Sequence, residues 1–461
     1  MSEEGKVLEK LRRILSVSKR VKLERIQQAL KINEVLFNEK IFDWAAEFGF
    51  EIDGEYINVG QGNVNKFIDS LDGQFEQWQH HESEGSGKFI GPSEVKLGFF
   101  RGAQIQQSEV EILKELEHRT GSLFKRVESV EQEKYRNTFN PEKSIFSVSN
   151  QSVKEIGLYD CRMSAFPELI TQLISLKRLD MTGNEFKSLP KSITQLKSLK
   201  ELNLSGNKFS SLPESITFLK SLKILNLASN QFSTLPESMS NFNSLKTLNL
   251  SGNQLLSFPE CISRLKSLKE LNLSGNKFFS FPELIANLKS LTKLDLGNND
   301  LNSLPEPITT LESLENLNLA SNNLIDLPES TSNLKFLKHL NLRINQFSKF
   351  PQPITKLRSL ESLDLEYNKL STLPYSIRNL TSLEYLGLDH NEITSLPDSI
   401  GDLSSLKILS LRYNKISVLP ESIGNLTSLE KLWIWDNRFS TIPESIKKLQ
   451  EQGLTIGQYR H

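Results

Sequence analysis

The chain has few of the residues on which stapled or catalytic folds depend. Its 461 residues include two cysteines, Cys161 and Cys261, and six histidines. Two thiols so far apart in sequence exclude a disulfide framework and a clustered-cysteine metal site. No apolar run reaches the roughly 18 residues of a membrane span, and the start MSEEGKVLEK lacks an apolar signal core, so a cytoplasmic setting is expected. An excess of charge is missing too. Lys and Arg total 55 against 56 Asp and Glu, a formal net charge of -1, so any attraction to nucleic acid or acidic lipid must be local.

What the chain does have is a period. Asparagine followed by x-[F/L/I]-x-x-[L/F/I]-P recurs at 184, 207, 230, 253, 276, 299, 322, 345, 368, 391, 414 and 437, always 23 residues apart. A unit before these makes thirteen: Val153, Ile156, Leu158, Met163, Phe166 and Pro167 fit the same frame, with Cys161 at the asparagine position. Relative to the asparagine, positions −8, −5, −3, +2, +5, +9 and +12 are apolar, and Thr331 is the one clear exception. Seven buried side chains at ~1.5 to 3 kcal/mol each do not clearly exceed ~1 to 2 kcal/mol of backbone entropy per residue over a unit, so units must stack to fold.

The spacing L-x-x-L-x-L-x-x-N-x-L resembles the leucine-rich repeat family over roughly 153–450, and the form LP-x-x-I resembles its Ras-group and plant intracellular members. The resemblance implies an α/β fold, a solenoid with a curved parallel sheet and short convex helical or extended segments. It also implies a binding scaffold, with small GTPases as possible partners.

The residues support the same architecture physically. In x-L-x-L-x the leucines alternate inward along a short strand. A polar asparagine among leucines must be satisfied internally, and its amide, which both donates and accepts, predicts a ladder of bonds to neighbouring coils. Cys161 takes that place as a weak donor. Phe186, Phe209, Phe232, Phe278, Phe347 and Phe439 at +2 predict an interior ring spine. The prolines at +6 suit the turn into a convex segment.

Open solenoid ends need covers. Ser108 and Glu111 fit a capping box, followed by Ile112, Leu113 and Leu116 and stopped at Gly121, so 108–120 reads as a capping helix. Phe146 and Val148 predict a strand into the first coil, and Leu454, Thr455 and Ile456 a last truncated strand. Residues 82–107 carry Gly85, Gly87, Gly91, Gly98 and Gly102 and read as a linker with an apolar patch at Val95, Leu97, Phe99 and Phe100, which is expected to dock on the cap. The resulting divisions are a head at 1–81, the linker at 82–107, a cap at 108–152, repeats at 153–450 and a cap strand with tail at 451–461.

In the head, Val7, Leu11 and Leu15, then Leu23, Ile26 and Leu30, then Phe37, Ile41, Trp44 and Phe48 fall at helical spacing. A hairpin around Asp53-Gly54 follows, then a fourth helix carrying Val64, Phe67, Leu71, Phe75 and Trp78. This order resembles a winged helix, in particular the winged-helix half of PCI domains. Glu34, Glu39, Asp43 and Glu47 against Lys40 make the third helix acidic, which disfavours a phosphate backbone and favours a second protein partner at the head. The basic cluster Lys6 to Arg25 reads as a solvated face, with an acidic protein, RNA or anionic lipid as the alternatives.

No set of residues carries chemistry. Gly85-Ser86-Gly87-Lys88 lacks the remaining residues of a phosphate loop, His80 and His81 lack further ligands, and neither cysteine has a catalytic setting. No cofactor or metal is expected.

The candidate binding residues lie on the predicted concave face. In units two to eight, position −4 is Asn or Asp and −2 is small: Thr182, Ser205, Ala228, Ser251, Ser274, Gly297 and Ala320. From the ninth unit −2 and −1 become Arg343-Ile344, Glu366-Tyr367, Asp389-His390, Arg412-Tyr413 and Trp435-Asp436, joined by Tyr385 and Trp433. Arg, Tyr and Trp are the types enriched in interface hot spots. The competing expectation is a charge ladder, Arg343 with Glu366 and Asp389 with Arg412, with tryptophans covering the array end. The expected function is a non-enzymatic scaffold binding a protein there. A nucleic-acid regulator acting through the head is the alternative, and a ubiquitin-ligase or GTPase activity a third possibility.

Overall fold

In the computed structural model, residues 11, 14–15, 20–30, 50–53, 56–58, 64, 67–68, 96–131, 143–439 and 441–457 are described. Two compact units divide at Glu94 and Val95.

In the first unit, β1 (Arg20–Lys22) leads directly into α1 (Leu23–Leu30), and β2 (Glu51–Asp53) pairs antiparallel with β3 (Tyr56–Asn58) as the expected hairpin. Residues 20–22, between the first two predicted helices, form a third strand, with Arg20 opposite Asn58, giving the order β1-β3-β2. Leu11, Ile26, Leu30, Ile57 and Phe67 are at most 1 % exposed and close a separate core, with Phe50 edge-on to Phe67. The predicted third helix, Gly54, His80, His81, the stretch Gly85 to Lys88, Val95 and most of the basic cluster lie outside the described residues.

The second unit opens earlier than its sequence pattern suggests. β4 (Leu97–Phe100) and β5 (Ala103–Gln106) form an antiparallel hairpin where a linker to 107 was expected. Alternation is the reason: Phe100, Ala103 and Ile105 are buried in the solenoid core, while Phe99 points out. α2 (Gln107–Thr120) then begins one residue before the expected start. Gln106 is its N-cap and makes no side-chain cap bond, so the capping box at Ser108 does not form; Gln107 Nε2 instead donates to Glu111 at 3.2 Å. Gly121 ends the helix in the left-handed conformation, as read.

Beyond β6 (Lys125–Arg126), β7 (Ser144–Ser149) turns through Asn150 and Gln151, both at positive φ, into β8 (Ser152–Leu158), the first repeat strand. Twelve three-residue strands follow, from β9 (Arg178–Asp180) to β20 (Lys431–Trp433), each parallel to the next and offset by one coil. With β21 (Thr455–Gly457) they complete a 16-stranded sheet. After each proline from Pro167 to Pro420 comes a five-residue 3₁₀ turn, such as Glu260–Arg264; the last, after Pro443, lengthens to α3 (Glu444–Glu451) and covers the end.

The asparagine ladder forms as the sequence implies. Asn276 Nδ2 donates to Leu250 O and Leu273 O, both at 3.0 Å, and its Oδ1 accepts from Leu255 N at 3.1 Å, joining its own coil to the preceding one. Cys161 bonds only weakly to Tyr159 O, at 3.3 Å. The +2 phenylalanines are buried except Phe439 at the array end, and Phe209 and Phe232 stack 2° from parallel. Thr331 is buried and its hydroxyl has no partner.

Candidate functional site

Position −1 lies three residues past the end of each strand, and in every coil from Gly183 to Asp436 its φ is positive. Only glycine, and to a lesser degree Asn, adopts this conformation cheaply. The early coils mostly respect the rule, with Gly183, Gly206, Gly252, Gly275 and Asn298, and only the small Ser229 and Ser321 depart from it. The late coils depart from it most clearly with Ile344 (φ 54°), Tyr367 (53°) and Tyr413 (53°), while His390 (52°) and Asp436 (55°) are types that tolerate the region better. A β-branched residue in this region is a genuine outlier.

These strained residues stack into a column. The His390 ring lies 4.0 Å from Tyr367 and 4.1 Å from Tyr413, both 16° from parallel, and Trp435 meets Tyr413 edge-on at 4.7 Å. The guanidinium of Arg343 caps one end, 4.7 Å from the Tyr367 ring centre, and that of Arg412 stands 5.2 Å from the Trp435 ring. Ile344, Tyr367 and Tyr413 remain 46, 41 and 41 % exposed. The column is therefore partly open to solvent beyond the ends of the strands.

Beside the column lie two ion pairs. Arg343 Nη1 bonds Glu366 Oε2, and Arg412 Nε and Nη2 converge on Asp389 Oδ2 at 2.5 Å. The sequence-derived site is thereby divided. Glu366 and Asp389 are buried behind their arginines and unavailable to a partner directly. The charge ladder and the exposed aromatic column coexist. Tyr385 folds across Gly387, where a Cβ would stand 2.7 Å from its hydroxyl, and donates to Glu366 Oε1 at 3.1 Å. Trp433 lies over Gly457 of the last strand and covers the array end; a Cβ there would collide with its ring. Tyr385 is thus seated by the glycine at the end of its own strand and Trp433 by the glycine opposite it in the next, and both pack within the scaffold.

A groove of about 720 Å³ runs along the sheet face from Thr247 to Tyr385. Its floor is the −4 column, including Asn249, Asn272, Asp295, Asn318, Asn341 and Asp364. Each side-chain oxygen accepts the main-chain N–H two residues on, as Asp364 does from Glu366 at 2.9 Å. Burial pushes the Asp364 carboxyl up to about 6, against the opposing effect of the hydrogen bond from Glu366 N. The coils with Asn or Asp at −4 and small residues at −2 therefore line part of the groove.

No thiol is set up as a nucleophile: burial raises Cys161, and raises Cys261 to about 11. Among the described residues, no group of three or more His, Cys, Asp or Glu is placed to hold a metal ion. Sequence reading missed the left-handed column, although its signal is present in the glycines at 183, 206, 252 and 275.

Fold and site define a solenoid of short parallel coils with a decorated C-terminal half. The leucine-rich repeat region family matches residues 195–296 and 375–454, and related leucine-rich repeat families match 337–393 and 290–311. The chain is a leucine-rich repeat protein. No curated protein matches it. A solved leucine-rich repeat protein of Leptospira interrogans is similar at 28 % identity and TM-score 0.51, over 72 % of this chain and 99 % of that one. The internalin InlF from Listeria monocytogenes shares the fold, with TM-score 0.59 at 23 % identity over 68 % of this chain and 91 % of its own. The Arabidopsis receptor kinase HAESA, solved with the peptide hormone IDA and the co-receptor SERK1, is similar at 27 % identity and TM-score 0.54, over 76 % of this chain and 65 % of its own.

Proposed function

We propose that the protein is a non-enzymatic scaffold that holds a protein partner on the column Ile344, Tyr367, His390 and Tyr413 and the adjoining groove. The observation carrying this reading is the backbone strain. Four side chains occupy a conformation that costs about 1 to 2 kcal/mol per residue, and they remain exposed or half-exposed. Strain of this kind clusters at functional sites, and preordered exposed tyrosines suit a binding hot spot. Protein ligands on leucine-rich repeats, as in the HAESA complex, support the same reading. A small GTPase is the partner class suggested by the Ras-group resemblance.

For the head we propose a winged-helix module with a second protein partner, supported by the hairpin and the strand Arg20–Lys22 beside it.

The test compares partners captured by the full-length protein with those captured by Tyr367→Ala/Tyr413→Ala. A partner whose affinity falls about thirtyfold or more in the variant, by loss of ~2 kcal/mol, supports the column. Unchanged capture at equal folding rejects it.

A further inference from the structure

A second surface, on the flank where each coil returns to its strand, has no part in that reading. In the coils that end at Asn184 to Asn276, position −7 is Lys177, Lys200, Lys223, Lys246 and Lys269. Three residues earlier, at −10, stand Lys197, Lys220, Lys266 and Lys289. No carboxylate occupies either position until Glu312 and Glu315. All nine lysines are exposed.

The main chain fixes their spacing. Lys200 N donates to Lys177 O at 2.8 Å, Lys223 N to Lys200 O at 2.7 Å, and Lys246 N to Lys223 O at 2.8 Å. Successive cations are thus tied to neighbouring coils, about 4.8 Å apart. None of the nine has a carboxylate partner among the described residues; Lys266 Nζ reaches only Asn287 O at 3.5 Å. Farther along, the same column carries both signs and pairs: Lys338 meets Glu315 at 3.1 Å, and Lys407 meets Glu384 at 2.8 Å. The fold can therefore neutralise this column internally, and over its first half it does not.

Apolar side chains stand among these lysines. Ile174, Phe218 and Ile224 are 55, 56 and 37 % exposed, and Lys220 Nζ lies 6.0 Å from the Phe218 ring. We propose that this flank docks on an anionic lipid bilayer. Lysine is a compact point charge suited to headgroup phosphates and carboxylates, and apolar tips among basic residues enter the headgroup boundary. A nucleic acid would be met by arginine forks or successive stacking rings, which these two columns lack. No helix among the described residues is long and apolar enough to cross a membrane, so the contact is peripheral.

The test is sedimentation of full-length protein with phosphatidylcholine vesicles containing phosphatidylserine, against phosphatidylcholine alone. Binding is expected only with the anionic lipid, with release by salt. Lys200→Glu/Lys223→Glu/Lys246→Glu is expected to lose about a hundredfold or more in affinity. The neutral Lys→Gln triple substitution repeats the test if reversal impairs folding, and Tyr367→Ala/Tyr413→Ala should keep wild-type vesicle binding. Equal binding by the lysine variants overturns the proposal. So does lysine-dependent binding of RNA or heparin by a protein that ignores the vesicles.

Discussion

Arg412 neutralises Asp389 across adjacent coils, with the carboxylate side chain 1 % exposed and the arginine 35 %. Asp389 also accepts from Ser410 Oγ at 2.6 Å and Arg412 N at 2.7 Å. A hot-spot arginine would be removable at little cost to folding, whereas this one compensates a buried charge. Arg412→Ala should destabilise by about 3 kcal/mol, because the stranded carboxylate keeps only its neutral donors. Chemical denaturation measures it, and a change under 1 kcal/mol would show the pair to be solvent-screened.

At Ile344, replacement by the residue type used upstream should relieve strain. Ile344→Asn is expected to raise unfolding free energy by about 0.5 to 1 kcal/mol, since Asn tolerates the left-handed conformation far better than a β-branched chain. A lower melting temperature would mean that packing of the isoleucine outweighs its backbone cost.

Thr331 offers a test of the core. Thr331→Val keeps the shape and removes a buried hydroxyl without a partner, so stability should rise by about 1 kcal/mol. By contrast, Asn276→Ala removes donors to Leu250 O and Leu273 O and the acceptor for Leu255 N, and should cost about 1 to 3 kcal/mol. Two melting curves displaced in opposite directions are the expected result.

Asp364 predicts a pH dependence. Its folded pKa, about 6, lies above the ordinary aspartate value of 3.8, so between these values the folded state binds more protons than the unfolded one. Stability then falls as pH rises through that window, by on the order of 2 to 3 kcal/mol, with the full penalty present above it. Asp364→Asn should recover that amount at pH 7 and flatten the profile between pH 4 and 6. A variant with an unchanged profile would assign the titration elsewhere.

Much of this molecule was legible in its sequence because a fixed period turns local chemistry into position. The asparagines, the inward leucines and the +2 phenylalanines each announce their place, since burial permits few residue types there. Leu97 to Gln106 escaped because a glycine-rich composition masks the alternation that makes it a hairpin. At Glu366 and Asp389, the residue type suggested exposure, yet a neighbouring arginine permits burial; that depends on side-chain geometry. The left-handed column and the lysine flank were visible in principle, by reading down a column of the repeat instead of along the chain.

Constant register has a further consequence. Each coil advances the sheet by about 4.8 Å and changes nothing about the next. The lysine flank closes at Lys289 and the strained column opens at Ile344, so the repeat count between them acts as a graduated rule. Duplication or loss of a 23-residue segment in that interval would move one surface relative to the other by a single notch while leaving both intact, a way of tuning reach without redesigning either contact.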